Sequence, residues 1–290
     1  METQVYLEKR RKSEKLLDNI YSLPVISEVM YQTAKMLDDP ATSTTKLSKM
    51  IGQDQGLSTK LLSIANSPLY GLPRKVATID FAILVIGYQD IKNILISLSM
   101  MEAFKIKNDE NLNYHDLWMH SFLTGTLARR ISLDMGFNFG GEAFVAGLLH
   151  DMGISVIHKY FHSVFLKVIR YVKNNEKSFL EAEFDELGLT HQEIAKFLAE
   201  KWNLPSSLCD AVLFHHAPNK AFVNNELVAI VHLADYAINS FNLKNFDWES
   251  DLFIDPTIVE VLRFKDLEQL DNFIQSYKDA AQEEIKLIKF

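Results

Sequence analysis

Five places in this chain set imidazoles and carboxylates where apolar side chains are expected. His120 shares a helical face with Leu123, Thr124, Leu127 and Ile131, so its ring should point into a core. His150-Asp151 follows the apolar run AFVAGLL and precedes Met152-Gly153. His191 opens THQEIAKFLAEKW, where Thr190 can cap a helix. His215-His216 ends an apolar helical stretch before Ala217-Pro218, and Asp235 lies inside VHLADYA. A single histidine on an apolar face is ordinarily a hydrogen-bonded core residue. A buried carboxylate is harder to place, because without a partner it is strongly destabilising and normally has a cation nearby. A shared divalent cation would compensate all five anomalies at once, since neutral imidazole and carboxylate are its natural ligands. Consecutive helical residues diverge by roughly 100°. His150 and Asp151 could therefore grip different edges of one ion, or Asp151 could bridge two.

The other titratable residues carry weaker signals. His158 and His162 have the i, i+4 spacing of a chelating pair, but no glutamate follows His158 as in the metalloprotease pattern, and a partly exposed helix face is expected. His115 reads as a residue near a helix start. His232, one turn before Asp235, reads equally as support for a ligand or as packing. Cys209 is the one cysteine, so no disulfide can form within the chain; it reads as a small buried hydrophobe.

The elements that must position these residues are helical. Apolar residues recur at three- and four-residue spacing, as in Val29, Thr33, Met36 and Leu37, or Leu57, Leu61, Ile64 and Ala65, and no strand-type alternation stands out. About a dozen helices with short loops are expected. One runs from about Val25 to Leu37 and stops before Pro40. Thr42 to Thr45 offer caps for a helix over Lys46–Ile51, Asp54 for Gly56–Asn66, and Thr78 for a helix ending at Ile86, with Gly87 as punctuation. Residues 1–110 are expected to form an N-terminal helical lobe and 111–241 a helical bundle carrying the chemistry. Residues 242–290 should be a C-terminal appendage: a linker rich in Trp, Phe, Asp and Pro, then amphipathic helix from Pro256 to Phe290.

Of the 290 residues, 48% are hydrophobic and 23% charged, ordinary for a chain that buries a core. The net charge of −8 disfavours nucleic-acid backbones as partners, and argues against reading the short N-terminal helices as a DNA-binding helix-turn-helix. The basic run Lys9, Arg10, Arg11, Lys12 and Lys15 reads as a solvated helix face. The N-terminus lacks a signal-type apolar core, and Gln89, Asp90, Lys92 and Asn93 interrupt the most apolar region, Phe81 to Phe104. A cytoplasmic protein with no membrane partner is expected; sparing cysteine use fits a reducing compartment.

The order His120, His150-Asp151, Asp235 resembles the H…HD…D signature of the HD phosphohydrolase superfamily, an all-helical metal-binding fold, and GLLHDMG is close to its central motif. The wider chain, from about residue 20 to 240, is similar to the HDOD (HD-related output domain) family. The resemblance rests on LPVISEV, GLSTKLLSIANSPLYG, AILVIG, LWMHS, THQEIAKFLAEKWNLP, HHAP and VHLADYA, in that order. It implies an HD-like multi-helix bundle with an N-terminal helical lobe. It also implies metal positions at His120, His150, Asp151 and Asp235, with His191, His215 and His216 matching the extra ligands of the related HD-GYP phosphodiesterases. One or two transition-metal ions (iron, manganese, zinc, nickel or cobalt) would suit that set. Two catalytic features of that group are absent: Ile154 stands where a lysine follows the HDxG motif, and Ala217-Pro218-Asn219 replaces the GYP segment.

Three functions follow. The first is a non-catalytic signalling or regulatory protein that binds a protein partner, or a nucleotide ligand. The second is a metal-dependent phosphohydrolase of nucleotides or cyclic dinucleotides, with Asp151 catalytic and the ions acidifying a water and polarising the phosphoryl oxygen. The third is a metal-free scaffold of mutually hydrogen-bonded histidines.

Overall fold

The computed structural model describes residues 2–20, 28–37, 39, 41–68, 72, 74–243 and 253–287. Among them there are seventeen α-helices and no strand, so the chain is all-α, an HD-like helical bundle. The expected positions 25–27 and 288–290 of the terminal helices, and most of the 242–255 linker, lie outside the described residues. So does the PLYG end of the ANSPLYG motif, apart from Pro68.

In the N-terminal part, α2 (Glu28–Leu37), α3 (Thr44–Ile51), α4 (Gln55–Ala65), α5 (Ile79–Ile86) and α6 (Tyr88–Ala103) pack on one another. Their starts follow side-chain capping. Ser43 accepts from the Lys46 N–H, Asp54 from Leu57 and Thr78 from Phe81, each satisfying a donor that the first helical turn leaves open. Gly87, at φ +90°, ends α5 in a conformation that side chains rarely adopt. Leu47, Ile51, Leu61, Ile83 and Ile91 form the local core, each 1% exposed or less.

Helix α6 also packs against α8 (Gly140–Leu149) and so joins this part to the next. There α7 (Tyr114–Asp134), α8, α9 (Met152–Tyr160), α12 (His191–Lys201), α13 (Ser206–Phe214) and α14 (Asn225–Ser240) form the bundle, with α10 (His162–Lys173) and α11 (Phe179–Leu187) on its side. Glycines set how closely the ligand-bearing helices approach. A Cβ on Gly125 of α7 would lie 2.6 Å from the Phe144 carbonyl oxygen, and one on Gly147 of α8 would lie 2.7 Å from the Gly125 Cα. Gly153, the glycine of HDMG, meets the backbone of His191 so closely that a Cβ there would stand 2.0 Å from its carbonyl oxygen.

Two expectations need correction. The basic run on α1 (Glu2–Asn19) is solvated only in part. Arg11, Lys12 and Lys15 are exposed, but Arg10 pairs with Glu193 at 2.8 Å, the Lys9 ammonium donates to the Asp185 carbonyl, and Tyr6 stacks on Phe184. Helix α1 therefore docks on α11 through hydrogen bonds to Asp185 and one aromatic pair, and on α12 through the Arg10–Glu193 ion pair. The C-terminal helix is not continuous either: it is three, α15 (Thr257–Val261), α16 (Leu267–Gln275) and α17 (Lys278–Leu287). Arg263 at φ +60° breaks the first from the second, and Asp266 caps α16 by accepting from the Gln269 N–H. Helix α17 packs against α7 of the bundle, and its Glu284 is buried against Ser67 of the N-terminal part; Tyr277, just before α17, donates to Asp134 at 2.9 Å.

Candidate metal centre

The seven expected ligand residues converge on one point, brought there by five different elements. His120 comes from the middle of α7, and His150-Asp151 from the break between α8 and α9. His191 is the first residue of α12, whose start is fixed by a reciprocal capping box between Thr190 and Glu193. His215-His216 follow the last turn of α13, and Asp235 lies in α14.

They form two adjoining groups. His120, His150 and Asp235 offer ligand atoms within 4.8 Å of one another, and so do Asp151, His191, His215 and His216. Asp151 faces both. Its Oδ2 lies 3.4 Å from His120 Nε2 and 3.2 Å from His150 Nε2, while its Oδ1 lies 3.5 Å from His191 Nε2 and 3.7 Å from His215 Nε2. Asp235 Oδ1 stands 2.9 Å from His120 Nε2. Six of the seven residues are no more than 3% exposed, and His216 is half-buried.

The rings are held from behind. His150 Nδ1–H donates to the Gly147 carbonyl and His215 Nδ1–H to the Val212 carbonyl, both at 2.7 Å, which leaves each Nε2 aimed inward. His191 is oriented by a residue that the reading of the sequence did not single out. Glu183 of α11, fully buried, accepts from His191 Nδ1 at 2.9 and 3.1 Å and from the His191 backbone N–H at 2.8 Å. Carboxylate–histidine pairs of this kind fix the tautomer and raise the basicity of a metal-binding imidazole. The signal was present in α11: Glu183 shares an apolar stripe with Phe179, Ala182 and Leu187, all buried.

Burial opposes charge throughout, and the balance differs from group to group. Burial pushes His215 down to about 3, helped by neighbouring His216, and pushes His216 down to about 3, helped by His191. Both are neutral near pH 7 and able to coordinate. At His150 the burial penalty is outweighed by the Asp151 and Asp235 carboxylates, which hold its pKa well above the usual 6.5. Burial likewise opposes ionised Asp151 and Asp235, but His150 and His120 hold both well below the carboxylate range. Asp151 Oδ1 and His215 Nε2 are buried without a hydrogen-bond partner among the described residues. A neutral imidazole lone pair facing an anionic oxygen is poor pairing, and a cation between them satisfies both. The donor set therefore fits a metal ion.

His232 does not reach the cluster. Its Nδ1–H donates to the His215 carbonyl at 2.5 Å and its Nε2 accepts from the Asp255 N–H at 3.1 Å, tying the double-histidine segment to the C-terminal part. His115 is half-exposed at the start of α7, and Cys209 is buried. Ile154 is fully buried in α9, so the position of the missing lysine belongs to the core. His158 is also buried, against the expectation of a partly exposed face, because its ring turns inward onto Phe165 while His162 stays outside. A small cavity of about 10 Å³, bordered by Met101, Phe104, Trp118 and Leu148, reaches Asp151. It has room for about one water molecule.

An all-helical bundle that gathers H…HD…D side chains at its centre defines an HD-type protein. The HDOD domain family matches residues 23–218, and the chain belongs to that family. It is similar over 98% of its length to the whole crystal structure of an HDOD domain protein of unknown function from Geobacter sulfurreducens, at 25% identity and a TM-score of 0.76. It shares its fold with a candidate phosphohydrolase of Shewanella amazonensis, at 22% identity, 94% and 98% coverage of the two chains and a TM-score of 0.70. A candidate signal transduction protein of Marinobacter aquaeolei has the fold as well, at 19% identity, 97% and 66% coverage and a TM-score of 0.72. An uncharacterized protein of Treponema pallidum is 23% identical over 239 residues, 81% of this chain. The chain spans about half, 46%, of that relative's length. No helix among the described residues is long and apolar enough to cross a membrane.

Proposed function

We propose that this HDOD protein is a cytoplasmic signalling or regulatory protein that works by binding a protein partner, built around a metal-stabilised helical core and without phosphodiesterase activity. The enclosure of the ligand set carries this reading. With six of the seven residues no more than 3% exposed, and a cavity beside Asp151 that holds about one water, the described residues leave little room for a phosphodiester at the cluster. Ile154, buried and apolar, offers no cation for a phosphate oxygen. His120, His150, Asp151, His191, His215, His216 and Asp235 would hold one or two transition-metal ions from the iron, manganese, zinc, nickel and cobalt class. When bound, such an ion compensates the buried carboxylates and locks five helical elements together. The net charge of −8 supports a partner that is not nucleic acid.

One observation favours hydrolysis instead: Asp151 spans two adjoining ligand groups, the arrangement that two-metal hydrolases use. The two readings separate on the purified protein. Elemental analysis, with anomalous scattering at His150-Asp151, should find bound metal, and Asp151→Ala should lose it. The metal-loaded protein should leave cyclic dinucleotides intact. Turnover that disappears in Asp151→Ala would establish the hydrolase, and a metal-free wild type would overturn both.

A further inference from the structure

A second cluster lies outside the buried centre, where the segment before α7 meets the junction of α9 and α10. Asp109, His158 and His162 offer three ligand atoms within 4.8 Å of one another. Each is aimed by a separate contact. Asp109 Oδ1 accepts the backbone N–H groups of Asn111 at 2.7 Å and Leu112 at 2.8 Å, which fixes the carboxylate and turns Oδ2 toward the histidines. His158 Nε2 stands 2.8 Å from that oxygen and His162 Nε2 3.8 Å from it. His162 Nδ1–H donates to the His158 carbonyl at 3.3 Å, so its Nε2 presents the lone pair. The His158 ring is wedged edge-on against both Phe165 and His162.

We propose that Asp109, His158 and His162 form a second divalent-cation site, distinct from the buried centre and open to solvent. Metal–nitrogen and metal–oxygen bonds of ~2.0–2.2 Å at ~90–110° place neighbouring ligand atoms ~3–3.5 Å apart. The observed 2.8 and 3.8 Å bracket that spacing, so small side-chain rotations complete the geometry. Two imidazoles and one carboxylate suit zinc, nickel, cobalt or copper rather than magnesium or calcium. The His162 side chain is 49% exposed and that of Asp109 27%, which leaves the remaining coordination positions to water or to an external ligand. Its place gives the site a consequence. Asp109 precedes the helix carrying His120, and His158 lies on the helix that begins directly after Asp151. A cation there would brace two segments that lead into the buried centre.

The test uses the full-length protein, desalted after purification so that only tightly held metal remains, and titrated calorimetrically with Zn²⁺. Binding of Cu²⁺ is followed in parallel by electron paramagnetic resonance. One further equivalent per chain is expected, with nitrogen hyperfine coupling in the copper spectrum. Two variants preserve the fold: Asp109→Asn keeps the Oδ1 acceptor of the turn, and His162→Ala alters a half-exposed ring. Each should weaken this equivalent at least tenfold, and His162→Ala should remove one nitrogen from the copper spectrum. Asp151→Ala should leave it unchanged, which separates this site from the fate of the buried centre. No additional equivalent, or one bound equally tightly by both variants, would overturn the assignment.

Discussion

Glu183→Gln tests whether the ligand rings are pre-oriented for metal. The carboxylate makes three contacts with one residue, accepting from His191 Nδ1 at 2.9 and 3.1 Å and from the His191 backbone N–H at 2.8 Å. Glutamine has the same shape but one acceptor and one donor. If its oxygen keeps the backbone N–H, its NH₂ faces Nδ1 and selects the opposite tautomer, placing a proton on the Nε2 that must coordinate. If the amide turns round, the NH₂ meets the backbone donor and that contact is lost. Either way the anionic partner disappears from the start of α12, where the helix dipole favours negative charge. Loss of such an outer partner lowers metal affinity by roughly 10–100-fold, about 1.4–2.7 kcal/mol. Competition against a chelator of known affinity measures the change, with elemental analysis after dialysis as a second readout. Thermal unfolding of the metal-free variant is the control, because a residue that only braced α11 against α12 would lower that transition and leave affinity alone. Metal affinity within twofold of wild type would refute the pre-orientation argument.

Gly147→Ala drives a Cβ to 2.7 Å from the Gly125 Cα and should destabilise the protein by ~1–3 kcal/mol through overpacking, read by denaturant unfolding, with metal content falling in step. Lowering the pH should destabilise the metal-free protein, as thermal unfolding between pH 7 and pH 5 would show. His215 has its folded pKa depressed to about 3, so below 6.5 the unfolded chain takes up the proton first, a loss of about 2 kcal/mol by pH 5. His150 acts in the opposite sense, since its raised pKa contributes fully below 6.5 and is lost only as pH rises through the folded value. It offsets little of the acid loss.

The cluster was legible in the sequence because its chemistry violates the pattern around it. An imidazole at His120 or a carboxylate at Asp235 interrupts an apolar stripe, and such interruptions need compensation wherever the helices lie. The capping residues Asp54, Thr78 and Thr190 were legible for a similarly local reason, since each satisfies backbone donors within its own first turn. What was not legible depends on contacts between distant elements. The basic face of α1 has no visible partner until α11 and α12 bring Asp185 and Glu193 beneath it. Periodicity ran through 256–290 because neither the left-handed turn at Arg263 nor the Asp266 cap disturbs the apolar spacing.

Glu183 falls between these cases, and the reason extends to reading such sites generally. It breaks the stripe of Phe179, Ala182 and Leu187 just as His120 breaks its own, so the same rule flags it. Yet FLEAEFDEL holds four acidic residues, and three of them, Glu181, Asp185 and Glu186, do face solvent or surface cations. One buried carboxylate is masked by its exposed neighbours, whereas a lone histidine among leucines is not. Position on the helical face, rather than residue type, separates Glu183 from the rest. A centre made of rare residues announces its ligands; the acids that orient those ligands have to be found by which side of the helix they occupy.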